Sequence, residues 1–381
     1  MSNMLSLNGI RSMGVSCANR GEEGSPKSVV FGGCNRARWS SASFKSQWRL
    51  LLKKSLDALK YCNGIRTMQV EEEISKGLIQ RGMEETLANV TADKAGQVIR
   101  TGKKDKKDKK EKKDKKDKKD KKDKKDNEEN NNSNSDQDEK KKALIFLSRE
   151  EIDKLVEVVL ERQNAGTELT PNDVINTLKC LPEDALEIKM FGRMMASLPD
   201  LNVDGTVCVA HPISTHAQNP ELDFFTAIDD IGSGKQAAHM GSTEYNAPVM
   251  YSCSSLDVEE LLRGYEHLSK NVRKEILAAI VKTFMLAIPI GHRHGMFSDT
   301  EIEYVMALKW AGNPCTLLNA FEKPVRNKGN GLLEESVDKL KKHFKKFQTS
   351  YGKDVVEFAG EYVFGENNID EFSRKVADAF I

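Results

Sequence analysis

Between Lys103 and Asp126 the chain is a Lys-Lys-Asp repeat, 16 Lys against 7 Asp and 1 Glu, with no apolar side chain. A segment with no apolar surface has nothing to bury against the entropy of ordering, so this tract and the Asn-rich stretch from Asn127 to Asp138 are expected to stay unfolded. Any core must be assembled from the residues on either side of it. At 381 residues the chain is long enough for two average domains, or for one domain carrying a large insertion.

The tract also hides the charge of the rest. It carries a net +8 while the whole chain carries +1, which leaves the remainder at −7. A mildly acidic body is not that of a general nucleic-acid binder, so any site for RNA must concentrate its positive charge locally. Arg20 to Arg66 does so, with ten Lys or Arg against Glu22, Glu23 and Asp57. The 7 cysteines form no CxxC pair and read as scattered thiols of a reducing compartment. Met1 to Val15 lacks the apolar block of a signal peptide, and the apolar run Ile276 to Ile290, broken by Lys282, is too short for a bilayer. A cytoplasmic protein with no membrane partner is expected.

Hydrophobic spacing supplies the elements. Leu5 to Phe31 reads as strand, loop, strand, and Gly32-Gly33 as a turn. Ser40-Ser41-Ala42-Ser43 starts a helix running to about Tyr61, with Phe44, Trp48, Leu52, Leu56 and Leu59 on one face and Lys45, Arg49 and Lys53 on another. Ser148 and Glu151 make a capping box, and Thr170-Pro171-Asn172-Asp173 opens another helix. Beyond Val203 strands are expected at Val207 to Ile213, Met250 to Cys253 and Ile302 to Leu308. Helices are expected at Leu256 to Leu268, Val272 to Ile288 and, last, Leu333 to Phe347. The order, strands, then a long helical stretch, then mixed elements, predicts one α+β core interrupted by a helical lobe.

Three stretches could carry chemistry. Cys17-Ala18-Asn19-Arg20 with Phe31 to Lys45 combines arginines, hydroxyls, a glycine turn and a helix N-terminus, all of which suit phosphate oxygens; a solvated basic surface is the plain alternative. In Phe191-Gly192-Arg193-Met194-Met195-Ala196, composition favours core filling over a methionine pressed against a base. His211 and His216 with Asp223, Asp229 and Asp230 invite a metal reading, but five residues apart on a strand the two histidines would face opposite ways, and no metal is expected. His292 and His294 could share a face, yet no acidic or cysteine neighbour completes a site. Walker, Rossmann, nucleophile-elbow and zincin motifs are absent from the sequence.

Taken in order, these motifs resemble the CasC family, the repeated backbone subunit of the type I-E CRISPR Cascade complex. The resemblance rests on Ser16-Cys17, Asn19-Arg20, Phe31-Gly32-Gly33, Arg36, Arg38, Ser40-Ser41, Ser43 and Lys45. It continues through Gly192-Arg193-Met194, Val203-Asp204-Gly205 and Ala210-His211 to His216. Phe225-Thr226-Ala227, Asp229-Asp230, Gly241 to Tyr245 and Asn319-Ala320-Phe321-Glu322-Lys323 complete it. It implies an RRM-like (ferredoxin-type) palm from residues 1–66 and 191–381, helical fingers at 67–190 with an insert at 103–142, and a β-hairpin thumb at about 217–249. It further implies a non-catalytic, cofactor-free subunit that polymerises along CRISPR guide RNA beside further copies of itself and other Cascade subunits, and presents the guide to target DNA. Arg20, Arg36, Arg38, Ser40, Ser43, Lys45 and Arg49 would then bind RNA, Met194 would stack near a displaced base, and Phe225 with Thr226 would form the thumb's wedge. The alternative within such complexes is a metal-dependent ribonuclease using Asp223, Asp229 or Asp230. The chain departs from the family's pattern at Ala42, often a glutamine, and after Pro289, where Ile290-Gly291-His292-Arg293 replaces a usual Lys-Gln pair; no RNA contact is carried over to either place. The Lys-Lys-Asp tract has no counterpart in the family; a solvated expansion is favoured over attraction of duplex DNA.

Overall fold

The computed structural model of the chain describes residues 3–56, 60–102, 144–228 and 237–381. They form two compact units, one of residues 1–62 with 205–381 and one of residues 63–204. The elements mix helices with antiparallel sheet. The Lys-Lys-Asp tract lies outside the described residues.

The first unit is built on a six-stranded sheet whose spatial order is Val356–Val363, Tyr304–Ala311, Asn3–Ser12, Val249–Asp257 and Val207–Val209, with Ile213–Ser214 also pairing to Val249–Asp257. Every pairing is antiparallel. Asn3–Ser12 is central, and its alternation explains how the sheet holds two layers. On one face Ile10 joins a core of Tyr251, Trp310, Phe321, Leu340 and Phe344. Two buried polar groups of that same face are satisfied rather than excluded: Trp310 Nε1 donates to Ser6 Oγ (2.8 Å), and Tyr251 donates to Asn8 Oδ1 (2.8 Å). The opposite layer contains helices Ser41–Leu56 and Lys270–Leu286, where Phe44, Trp48 and Phe284 meet edge to face with centroids 5.4–6.3 Å apart. Trp48 Nε1 donates to the Ile280 carbonyl and to Thr283 Oγ1, both at 3.1 Å. Among the described residues, strands Glu221–Ile228 and Ala237–Tyr245 pair only with each other, as a hairpin.

The second unit has its own core, with Val70, Ile74, Leu78, Leu155, Val156 and Leu178 fully buried or nearly so. Strand Gly64–Thr67 pairs with Ile145–Ser148, residues that lie on opposite sides of the tract in sequence. The expected capping box at Ser148 and Glu151 is formed, as is one at Thr170 and Asp173. Glu151 is also salt-bridged to Arg193 at 2.6 Å, with both side chains about 1% exposed. Burial pushes the Glu151 carboxyl upward in pKa, against the pull of the Arg193 cation.

Several element boundaries differ from the sequence reading. The first helix is described to Leu56 and Lys60 lies in a turn with φ 60°, so the helix ends short of Tyr61. Leu256 belongs to strand Val249–Asp257, where it pairs with Val207, and the helix that follows is only Val258–Leu262, capped by Asp257. A further strand, Val356–Val363, and a further helix, Ile369–Phe380, follow the helix taken as last, Leu333–Tyr351. Among the described residues no helix is long and apolar enough to cross a membrane.

Candidate nucleic-acid interface

The start of helix Ser41–Leu56 is held by groups distant in sequence. Asn19 Oδ1 accepts from the Ser40 N–H (2.7 Å) while the Asn19 carbonyl accepts from Lys27 N–H (2.9 Å). Ser40 Oγ caps the first turn by accepting from Ser43 N–H (3.2 Å), the role its position predicts. His211 Nδ1 accepts from Ser41 N–H (3.1 Å). The same Nδ1 also lies 3.2 Å from the Trp39 carbonyl oxygen. Arg38 Nη1 lies 3.2 Å from the same Nδ1, and Arg38 Nε donates to the Ser28 carbonyl (3.3 Å). The first turn contains no acidic residue, so no carboxylate of its own offsets the partial positive charge of the helix end.

Around that end, Arg20 and His211 are exposed, while Arg38, Ser40, Ser43, Lys45 and Arg49 are half-buried. Arg20 is carried by a tight turn, in which Gly21 N–H donates to the Ser25 carbonyl (2.8 Å) and Arg20 bridges Pro26. Cys17 lies beneath it, buried, and burial raises its thiol's pKa despite the nearby Arg20 cation. This thiol fills space and is not poised for chemistry.

Arg36 departs from the expectation. Its side chain is 0% exposed. Its guanidinium donates to the carbonyls of Phe31 (3.2 Å), Ser214 (3.1 Å), Phe321 (2.9 Å) and Glu322 (3.4 Å). With its donors engaged inside the protein it cannot reach a phosphate; it ties the turn at Gly32-Gly33 to two remote segments. Gly32 belongs to the same joint, because a Cβ there would come 1.7 Å from the Glu322 carbonyl oxygen, and its φ is +61°.

The family model of CT1975-like protein matches residues 5–377. The chain belongs to that family. The resemblance drawn from the motifs to a CRISPR backbone subunit therefore holds for nearly its whole length. The fold agrees with solved chains: one described as a CRISPR RNA-guided surveillance complex, pre-nicking, superposes with a TM-score of 0.78 at 23% identity, covering 99% of this chain and 100% of that one. A second, described as a CRISPR RNA-guided surveillance complex, gives 0.67 at 20% identity and 99% coverage of both. No curated protein matches the chain.

Within this CT1975-like chain the remaining expected residues belong to other elements. Met194 belongs to the second unit and is 82% exposed. Composition favoured core filling, but Met195 is the buried one. Arg193 pairs with Val203 through two 2.9 Å backbone bonds and Met195 N–H donates to Asn202 Oδ1 (2.6 Å), so Met194 is held outward between two anchored neighbours. On the hairpin, Phe225 lies across Gly241, where an added Cβ would come within 2.6 Å of its ring, and it remains 43% exposed; Thr226 sits opposite Met240. Asp223 is exposed opposite Thr243, while Asp229 and Asp230 lie outside the described residues. His211 is exposed and His216 buried, so the two do not share a site. Among the described residues no group of three or more His, Cys, Asp or Glu could hold a metal ion.

Sequence reasoning placed Asn19 in a basic stretch and His211 in a metal reading, but assigned neither to the cap of this helix. Asn19 caps a helix 21 positions away and His211 one 170 positions away. Capping is recognisable in a sequence when the cap is adjacent, and neither of these is.

Proposed function

We propose that this protein coats a CRISPR guide RNA as a repeated, non-catalytic subunit of a type I-E surveillance complex, and presents the guide for pairing with target DNA. The observation that carries this reading is the helix start at Ser41, free of acidic residues, with Arg38 and Ser40 just before it, Asn19 beside Arg20 bonded to it, and Ser43, Lys45 and Arg49 along the helix that follows. Hydroxyls and cations so grouped suit a sugar-phosphate backbone. Family membership supports it, as does a fold shared with chains of CRISPR RNA-guided surveillance complexes.

In this reading the six-stranded sheet is the RRM-like palm: its four strands from Tyr304–Ala311 to Val207–Val209 run fourth, first, third, second in chain order, all antiparallel, as in a ferredoxin-type sheet. The unit of residues 63–204 is the fingers, and the hairpin around 217–249 the thumb, with Phe225 and Thr226 as its wedge. Further copies stand side by side along the RNA, with other Cascade subunits at the ends. Phosphate contacts fix register without reading sequence, so one protein serves any spacer. Holding the guide pre-ordered also lowers the entropy cost of pairing with a target.

The test is to purify the protein with its genomic neighbours and sequence the bound nucleic acid. A discrete RNA with repeat-derived ends and variable spacers is expected; random cellular RNA would refute the reading. Arg20→Ala and Lys45→Ala should each weaken RNA binding equally for unrelated spacers, measured by filter binding or anisotropy. A loss confined to one spacer would contradict the scaffold role.

A further inference from the structure

The segment between helix Lys270–Leu286 and strand Tyr304–Ala311 is a built loop. Arg11, buried on the central strand, donates through Nη2 to the Met285 carbonyl and through Nη1 to the Thr300 carbonyl, clamping both ends of the loop with one side chain. Thr300 Oγ1 donates to the Ser12 carbonyl (2.5 Å). In the middle, Gly291 N–H donates to the Ala18 carbonyl (2.9 Å), and a Cβ at Gly291 would come 2.5 Å from that oxygen, so only glycine permits the approach. The His292 carbonyl closes the tip by accepting from Gly295 and Met296 N–H groups (3.1 and 3.0 Å).

What this tied-down loop displays is unusual for a solvent face. Phe297 is 74% exposed, and with Ile290, Arg293 and His294 it lines a concavity of about 460 Å³. The Arg293 guanidinium stands 5.8 Å from the Phe297 ring centroid and is paired with Asp299. An aromatic ring kept in water on a tied-down loop, beside a guanidinium held over it, has the make-up of a stacking platform for a flat partner. The loop is docked through Gly291 on Ala18, two residues from the exposed Arg20, which brings the residue next to Ile290 of the concavity against the segment that carries Arg20.

We propose that Phe297, supported by Arg293, stacks one unpaired base of the RNA strand gripped at Arg20 and the helix N-terminus. This rests on the guide-coating reading and adds to it a base contact by chemistry that the chain's family pattern does not supply. Stacking is indifferent to base identity, so such a contact preserves the ability to hold any guide.

The experiment measures binding of the full chain to a 12-nucleotide unstructured RNA over a range of salt concentrations. Phe297→Ala should weaken binding about tenfold while leaving the slope of log affinity against log salt unchanged, because no phosphate contact is lost. Phe297→Trp should bind as the parent does, and Arg20→Ala should lower the slope. Wild-type affinity in Phe297→Ala, or a lowered slope, overturns the proposal and leaves the guide-coating reading intact. Lost self-association with unchanged RNA affinity also overturns it, assigning the shelf to a second copy. If the wild-type chain itself binds no RNA, both readings fall together.

Discussion

Two buried side chains show how single residues organise the candidate interface from within the protein. Arg36 joins the Gly32-Gly33 turn to the Ser214 and Phe321-Glu322 backbones through four carbonyls. Removing it strands those acceptors in the interior, so Arg36→Ala should lower stability by about 3 kcal/mol. Arg36→Lys should recover little of it, because an ammonium lacks the planar fork; chemical denaturation measures both. His216 works in the same way at the base of the hairpin, donating from Nδ1 to the Ala217 carbonyl (2.9 Å) and accepting at Nε2 from Val249 N–H (3.1 Å). Burial, assisted by the Arg36 cation, lowers its pKa below the ordinary 6.5. The folded state therefore favours neutral imidazole, and that contribution is fully present above about pH 6.5 and is lost as pH falls through 6.5 toward the folded pKa. Melting temperature should drop over that window, and His216→Gln should flatten the drop. Neither role is legible in the sequence. Arg36 sits in a run of cations that reads as a phosphate site, and its burial is fixed by partners up to 286 positions away, which leave no local pattern.

At the scale of elements, legibility follows the range of the interactions. Helix Ser41–Leu56 is readable because Phe44, Trp48 and Leu52 recur on one buried face, and Ser148 with Glu151 because a capping box is complete within four residues. Strand Val356–Val363 is not, since it is an edge strand with only Val356, Gly360 and Tyr362 buried, and Glu357 and Glu361 blur the alternation. The turn at Gly32 joins both categories: its glycines announce a turn, while the Glu322 carbonyl that requires one of them comes from afar. Gly32→Ala should cost at least about 2 kcal/mol, from left-handed backbone strain plus the displacement of that carbonyl. Gly33→Ala, with the same positive φ but nothing within 4 Å of its added Cβ, should cost less. Their denaturation midpoints make the comparison directly.

For the whole molecule, the sequence conveys an α+β core interrupted by a helical lobe, and the lobe is a separate compact unit of residues 63–204. The Lys-Lys-Asp tract contains no apolar side chain to give to either core. Deleting residues 103–126 should therefore leave the melting temperature unchanged and guide-RNA affinity at physiological salt unaltered. A fall in duplex-DNA affinity at low salt in the same deletion would give the tract an electrostatic role. The position of strand Asn3–Ser12 has a separate consequence, in the order of synthesis. This strand is the middle of its sheet, yet its neighbours on either side, Val249–Asp257 and Tyr304–Ala311, leave the ribosome roughly 15–60 s later at ordinary elongation rates. Residues 63–204 are contiguous and emerge complete before either neighbour. This strand must thus wait with both edges unpaired while another unit is finished. Ser6, Asn8, Gly9 and Arg11, which interrupt its apolar side chains, make it a poor template for aggregation during that wait.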